Sequence, residues 1–305
     1  MKNILISILN FNSRKETFNC LNSIKKIKTE NFKISVLLIN NGSKEKLTIK
    51  EDFINPIPLK LIENISNLGF AGGHNISFKY AIKNNFDYIL ILNNDVELNI
   101  NFLKEMVSAI KSDSDIGIVV PKIYFSPGFE YHKDRYVRDE IGRVFWYAGG
   151  KFDWNNIVGL HRGVDEVDIG QYNKREETDY ATGCCMLLKT EALKKSGLFD
   201  EKYFLYYEDG DLSLRIKRCG YKIIYEPNAI VYHNNASSSG GSGSNLQDYY
   251  ITRNRMMFGL KYAPLRAKFA LIKESAKILT KGRNWQKKAI IDFYIKKFGK
   301  GSFNP

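Results

Sequence analysis

The sequence predicts an α/β fold, a mostly parallel sheet flanked by helices on both faces. Three observations lead there. The runs "ILISIL", "ISVLLI" and "YILIL" are too continuously apolar for a sheet with one wet face. They alternate with stretches whose apolar residues recur at helical spacing. Each run also stops at a polar cluster, at Asn10 to Ser13, Asn40 to Ser43 and Asn93 to Asp95. Parallel sheets bind ligands beyond the carboxyl ends of their strands, so these clusters are expected to share one edge.

Taken in order, residues 3–9 read as a strand, 14–28 as a helix and "KISVLLIN" as a second strand. "LKLIEN" makes a third strand, "GGHNISFKYAIKNN" a helix and "DYILIL" a fourth strand. A helix follows at about 100–112, and "IGIVVPKIYF" restarts the strand pattern. Residues 125–180 are irregular, aromatic and charged, an insertion over the same sheet edge. "ATGCCMLLKTEALKKSGLFDE" gives a strand and a short helix, and "YKIIYEPNAIVYH" supplies the closing strands. The Gly/Ser-rich stretch 234–245 is expected to be a mobile lid.

At 305 residues and 44% hydrophobic, the chain can bury one large core or two modest ones without disulfides. Cys20, Cys184, Cys185 and Cys219 form no CxxC pair, which suits a reducing, cytoplasmic setting better than a zinc site. No 18 uncharged apolar residues follow one another, so no membrane span is expected. The charge of +13 is uneven: residues 261–305 hold 12 Lys or Arg against Glu274 and Asp292, a net of +10. Apolar residues interleave with those cations, the make-up of basic amphipathic helices that could lie on an anionic membrane surface. The plain alternative is a solvated basic face on packed helices. No base-reading motif supports nucleic acid as a partner.

Carboxylates mark the candidate chemistry. Asp95 follows a buried strand directly, and with Asn93 and Asn94 it offers oxygen ligands that suit Mg2+ or Mn2+ alongside phosphate. The alternative is an ordinary turn that caps the next helix. In "YFLYYEDGDLSLRIKRCGYK", Glu208, Asp209 and Asp211 crowd the start of a helix. One acid there caps free N–H groups and suits the helix dipole, a role expected of Asp211. Asp209 and Glu208 remain for chemistry, as a base with a perturbed pKa.

The segments "SILNFNS", "LLINNGS", "NISNLGFAGGHN", "YILILNNDVELN", "DYATGCCMLLKTEAL" and the stretch around "YYEDGDL" run in one order across most of the chain. Together they resemble the inverting glycosyltransferases of family 2, which have the GT-A (Rossmann-like) fold. The likeness is strongest to the branch that includes bacterial rhamnosyltransferases of cell-surface polysaccharide assembly. It implies that "NND" stands at the family's DxD-type motif, with Asp95 a metal ligand at the donor's diphosphate and Asn93 and Asn94 beside it. Asn93 replaces the first aspartate, which implies weaker metal binding. It further implies Asp209 as catalytic base with Glu208 next to it, and His233 as the residue completing the metal site.

For the donor, the resemblance points to Asn10 and Asn12, and to Asn40 in place of the family's nucleotide-holding aspartate. It also points to Gly69, Gly72 and Gly73 for close backbone approach, to His74 and Asn75, and to Arg253 and Arg255 reaching the phosphates. Trp146, Tyr147 and Trp154 offer faces for sugar rings. Residues 1–115 would form the nucleotide-sugar half, 116–235 the acceptor and catalytic half, and 236–305 the loop and basic C-terminal helices. The implied partners are a nucleoside-diphosphate sugar, with dTDP-rhamnose first and UDP-sugars next, a glycan or polyprenyl-linked glycan acceptor, and a divalent metal. A homodimer is left open, and the alternative function is a degenerate binder of nucleotide sugar or glycan.

Overall fold

The computed structural model describes residues 1–29, 32–50, 52–234 and 243–304. Its first block is β1 (Lys2–Asn10), α1 (Arg14–Ile24), β2 (Phe32–Asn41), β3 (Leu59–Asn64), α2 (Gly69–Lys83) and β4 (Tyr88–Asn93). β4, β1, β2 and β3 are parallel neighbours in that order. Asn10 lies opposite Asn40, Leu9 opposite Asn93 and Asn41 opposite Asn64, so the polar strand ends do gather at one edge.

β5 (Val96–Leu98), α3 (Phe102–Lys111) and β6 (Ile116–Phe125) follow. α3 buries Phe102, Leu103, Met106, Val107 and Ile110, the one-sided spacing of a helix laid on a sheet. The insertion contributes β7 (Phe145–Tyr147), the hairpin of β8 (Gly150–Asp153) with β9 (Val158–His161), and β10 (Glu176–Glu177). It is tied to β6 by a buried ion pair, Lys122 to Asp168 at 2.8 Å, with Tyr124 donating to the same carboxylate. The chain then forms β11 (Cys185–Lys189), α4 (Thr190–Ser196), α5 (Glu208–Arg218) and β12 (Lys222–His233). It closes with α6 (Asn245–Tyr262), α7 (Leu265–Lys281) and α8 (Asn284–Tyr294).

The large sheet is mixed rather than mostly parallel, because β11 runs antiparallel between β4 and β6. The reason is topological. β4 and β6 end at the ligand edge, the insertion spans that edge, and the returning strand must start there and run back. Gly183 and Cys184, just before β11, are thereby delivered to the edge. The expected closing strands are a single strand, β12, parallel to β6 with an irregularity between Glu226 and Ile230. One core spans the sheet, with Ile6, Leu38, Ile91, Val119 and Leu187 fully buried; a smaller one under the tail holds Met256, Phe258, Leu271 and Ile290. Of the expected lid, residues 235–242 lie outside the described residues.

Candidate active site

Asp209 stands in the first turn of α5, half-buried. One carboxylate oxygen accepts from the Gly183 amide at 3.0 Å and the other from the Gly210 amide at 2.8 Å. Burial raises its pKa, and those amides only partly offset the rise. Glu208 is 4% exposed and its Oε2 has no hydrogen-bond partner. Burial, then the neighbouring Asp209 charge, hold its carboxyl well above the usual carboxylate range. The two acids therefore separate into a hydrogen-bonded anion and a neutral neighbour. Asp211 is not the cap: fully buried, it is bound by Arg215 at 2.7 Å, Lys261 at 2.6 Å and the Tyr262 hydroxyl at 2.7 Å. It fastens α6 to α5.

The loop before α5 is strained. Phe204, Tyr206 and Tyr207 all have positive φ, at 65°, 70° and 73°, a conformation costing about 1–3 kcal/mol per bulky residue. Asn254 of α6 holds the loop, its amide donating to the carbonyls of Tyr203, Leu205 and Tyr206 at 2.8, 2.7 and 2.9 Å. Arg253 donates to the carbonyls of Tyr203 and Lys202 at 3.1 and 3.2 Å and lies over the rings of Tyr249 and Tyr250. Both residues are fully buried. Arg253 is thus committed to the base loop rather than to phosphates. Arg255 is likewise engaged, bidentate to Glu274 at 2.8 and 2.9 Å. Asn254, which positions this loop, was not among the expected site residues; its only signal was its place between the two arginines of "RNR".

Asp95 and His233 meet at the same edge, where β5 pairs with the end of β12. Oδ1 and Nε2 are 3.2 Å apart, close enough for an ion pair but not aligned as a hydrogen bond, and both side chains are buried. Asp95 Oδ1 and His233 Nδ1 both lack hydrogen-bond partners. Burial opposes charge on His233, but Cys184 and Asp95 beside it outweigh that and hold its pKa well above the usual range. Burial also pushes the Cys184 thiol up, and a divalent ion bound to His233 would have to displace the ring's proton. A carboxylate oxygen and an imidazole nitrogen, both orphaned in a dry site, suit a divalent ion that takes its remaining ligands from phosphate. Among the described residues no three His, Cys, Asp or Glu side chains converge to hold a metal unaided. The segment Gly183–Cys184 links the pair to Asp209, since the Cys184 carbonyl accepts from Asn93 N at 2.8 Å while Gly183 N binds the Asp209 carboxylate.

The donor-side residues divide differently. Asn10 and Asn40 are 2% and 1% exposed and bind each other at 2.7 Å. Asn40 also donates to Glu63 at 2.8 Å and Asn10 accepts from Thr17 at 2.9 Å, so neither amide is offered to a ligand. Asn94 donates to Thr17 at 2.8 Å and faces α1, whereas Asn93 stays half-buried at the strand end. His74 is fully buried, bonded to Ser7 at 2.8 Å, and Asn75 is bound to the backbone of Phe199 and to Glu201. Both are engaged within the protein, with His74 Nε2 left without a partner. Gly69 has φ +73°, and a Cβ there would meet the Phe204 carbonyl at 2.3 Å; one on Gly73 would meet Leu9 at 2.4 Å and one on Gly72 the Leu68 side chain at 3.0 Å. At each of them the close approach seen in the structure is that of protein atoms.

The cleft at this edge, about 340 Å³, is lined by Asn10, Asn12, Arg14 and residues 43–47. Asn12 and Ser43 are tied across it at 2.9 Å. A wider concavity at Tyr131, His132, Asp134 and Arg135 is formed by exposed side chains of the insertion and holds none of the orphaned polar atoms. The aromatic residues expected to stack on sugars pack on protein: Trp146 against His161 and His233, Tyr147 in the core, and Trp154 stacked on Phe258.

A mixed sheet with nucleotide-side loops, an acidic strand end and a carboxylate-led helix at one edge defines the GT-A class of fold. The model of the family described as "Glycosyl transferase family 2" matches residues 6–197, and the chain belongs to that family. The match ends before Asp209 and His233. The chain is similar to the low-salt glycan biosynthesis hexosyltransferase Agl10 of Haloferax volcanii, at 21% identity over 84% of this chain and 75% of that protein. It is also similar to the N-acetylglucosaminyl-diphospho-decaprenol L-rhamnosyltransferase of Mycobacterium tuberculosis, at 25% over 68% of each. Among solved structures, GalNAc-T7 superposes with a TM-score of 0.65 at 18% identity, over 96% of this chain and 54% of that longer one. Staphylococcus aureus TarS 1-349 gives 0.57 at 18%, over 96% and 79%. No described helix is long and apolar enough to cross a membrane.

Proposed function

We propose that the protein is an inverting, divalent-metal-assisted glycosyltransferase. It moves a sugar, with rhamnose first among candidates, from a nucleoside diphosphate to a glycan or polyprenyl-linked glycan, on the cytoplasmic side of the cell membrane. The observation that carries this is the edge segment Gly183–Cys184, which holds Asp209 with one amide and the Asn93–Asp95 strand end with the next carbonyl. The name of the mycobacterial relative supports the sugar and the lipid-linked acceptor.

Asp209 accepts the proton of an acceptor hydroxyl as that oxygen bonds to the anomeric carbon from the face opposite the diphosphate, whose bond to that carbon breaks. Its raised pKa makes it a better proton acceptor than an ordinary carboxylate. Glu208, neutral beside it, adds no second charge to repel the departing anion. Asp95 and His233 would hold the divalent ion, which neutralises charge on the leaving diphosphate when bound. Asn12, Arg14 and the 43–47 loop line the donor cleft. In this reading residues 1–115 supply the donor side and 116–235 the base and acceptor side.

The test is nucleoside diphosphate release from dTDP-, UDP- and GDP-sugars with Mn2+ or EDTA, for wild type and Asp209→Asn. Metal-dependent release from one donor, lost in the variant with nucleotide affinity retained, is expected. Binding without turnover in the presence of lipid-linked acceptors identifies the degenerate binder instead. Absence of nucleotide binding across the panel overturns the transferase.

A further inference from the structure

We propose that the outer face of α7 and α8 is a docking surface for an anionic lipid bilayer. α7 has three arcs. One, with Ala267, Leu271 and Ser275, is buried against the rest of the tail. A second carries Leu265, Phe269, Ile272 and Leu279, 72%, 70%, 46% and 39% exposed. Their spacing of four, three and seven residues places them in one stripe along the helix. The third arc, beside the stripe, holds Arg266, Lys273 and Lys277, all exposed. A bond of 2.7 Å between Ser275 and the Tyr294 hydroxyl sets α8 alongside, bringing exposed Tyr294 next to this face with Ile291 one turn before it.

A helix packed on its own protein needs one apolar arc, and α7 has two. The second lies open beside a row of cations, the arrangement of a helix that rests in the lipid headgroup layer with its lysines toward anionic headgroups. Charge complementarity chooses the partner. The tail's two carboxylates do not offset the field at this face, since Glu274 is paired with Arg255 and Asp292 is buried and bonded to Tyr249. A second copy of the chain would bring the same +10 tail against itself, whereas an anionic bilayer neutralises it. The surface also lies close to the chemistry: α7 packs on α6, whose Asn254 holds the base loop. The inference extends the membrane-side reading above, and its test needs neither donor nor acceptor.

The full chain is floated with phosphatidylcholine vesicles and with vesicles also containing phosphatidylglycerol. Binding is expected to the second and not the first. Leu265→Ser with Phe269→Ser should abolish it, and Arg266→Gln, Lys273→Gln and Lys277→Gln together should weaken it about a hundredfold, each cation contributing about fivefold. These side chains are exposed, so unchanged melting confirms that the variants fold. The proposal is overturned if wild type ignores anionic vesicles, if the variants bind as wild type does, or if light scattering shows a dimer that the apolar pair alone dissolves. Nucleoside diphosphate release without vesicles should be the same in all of these proteins.

Discussion

Two polar clusters at the sheet edge differ in how their buried atoms are partnered. On the donor side, Asn10, Asn40 and Asn94 satisfy one another and Thr17. Around Asp209 and Asp95, by contrast, Glu208 Oε2, Asp95 Oδ1 and His233 Nδ1 are buried with no hydrogen-bond partner. A satisfied network fixes shape; an unsatisfied one stores affinity for a cation, a proton or a ligand. The difference teaches that polarity at a strand end does not by itself mark a ligand site.

The largest test of this contrast is Asp209→Asn. Turnover should fall by about 10²–10⁴-fold, the usual weight of a general base, while nucleotide titration gives an unchanged affinity. In the wild type, kcat should rise with pH through a carboxylate titration above the ordinary range, because burial raises Asp209. Asn254→Leu comes next, removing the amide that donates to three loop carbonyls, of which that of Tyr203 keeps Arg253. A loss of about 3 kcal/mol in denaturant unfolding is expected, with kcat reduced more than KM is raised.

Asn40→Asp sharpens the donor side. It would set a carboxylate against Glu63 where an amide now donates at 2.8 Å. A destabilisation of about 1–2 kcal/mol is expected, relieved by Glu63→Gln; equal stability of the single and double variants would break the argument.

Glu208 and Asp211, on one turn of α5, should titrate in opposite senses. Glu208 has a raised folded pKa, so the folded state holds the proton longer and stability falls as pH rises above the unfolded carboxyl value. Asp211 is lowered: burial pushes it up, but Lys261, Arg215 and Tyr262 outweigh that, so its stability is present at neutral pH and lost as pH falls. Melting curves across pH should show Glu208→Gln gaining relative to wild type as pH rises and Asp211→Asn losing most at neutral pH. Arg255→Ala, breaking a partly exposed ion pair, should cost only about 0.5 kcal/mol.

Much of the fold was legible because its buried strands are unbroken apolar runs and its helices carry one-sided spacing. The antiparallel β11 was not, since an apolar run does not state its direction. The crowding of acids at α5 singled out Asp209 as a candidate, and the strand-end position singled out Asp95. The fates of His74, Asn75, Arg253 and Arg255 were hidden, because each is decided by a partner distant in sequence: Ser7, Phe199, Tyr203 and Glu274. The hold of Asn254 on the loop carbonyls was invisible for the same reason.

The left-handed aromatic trio at Phe204, Tyr206 and Tyr207 bears on heat inactivation. A segment held in sparsely populated conformations by its contacts, an amide and a guanidinium of α6 among them, is expected to relax before the sheet does, and relaxing it would release Asp209. On warming, this protein should stop working before it melts, and on cooling it should regain activity without having to refold.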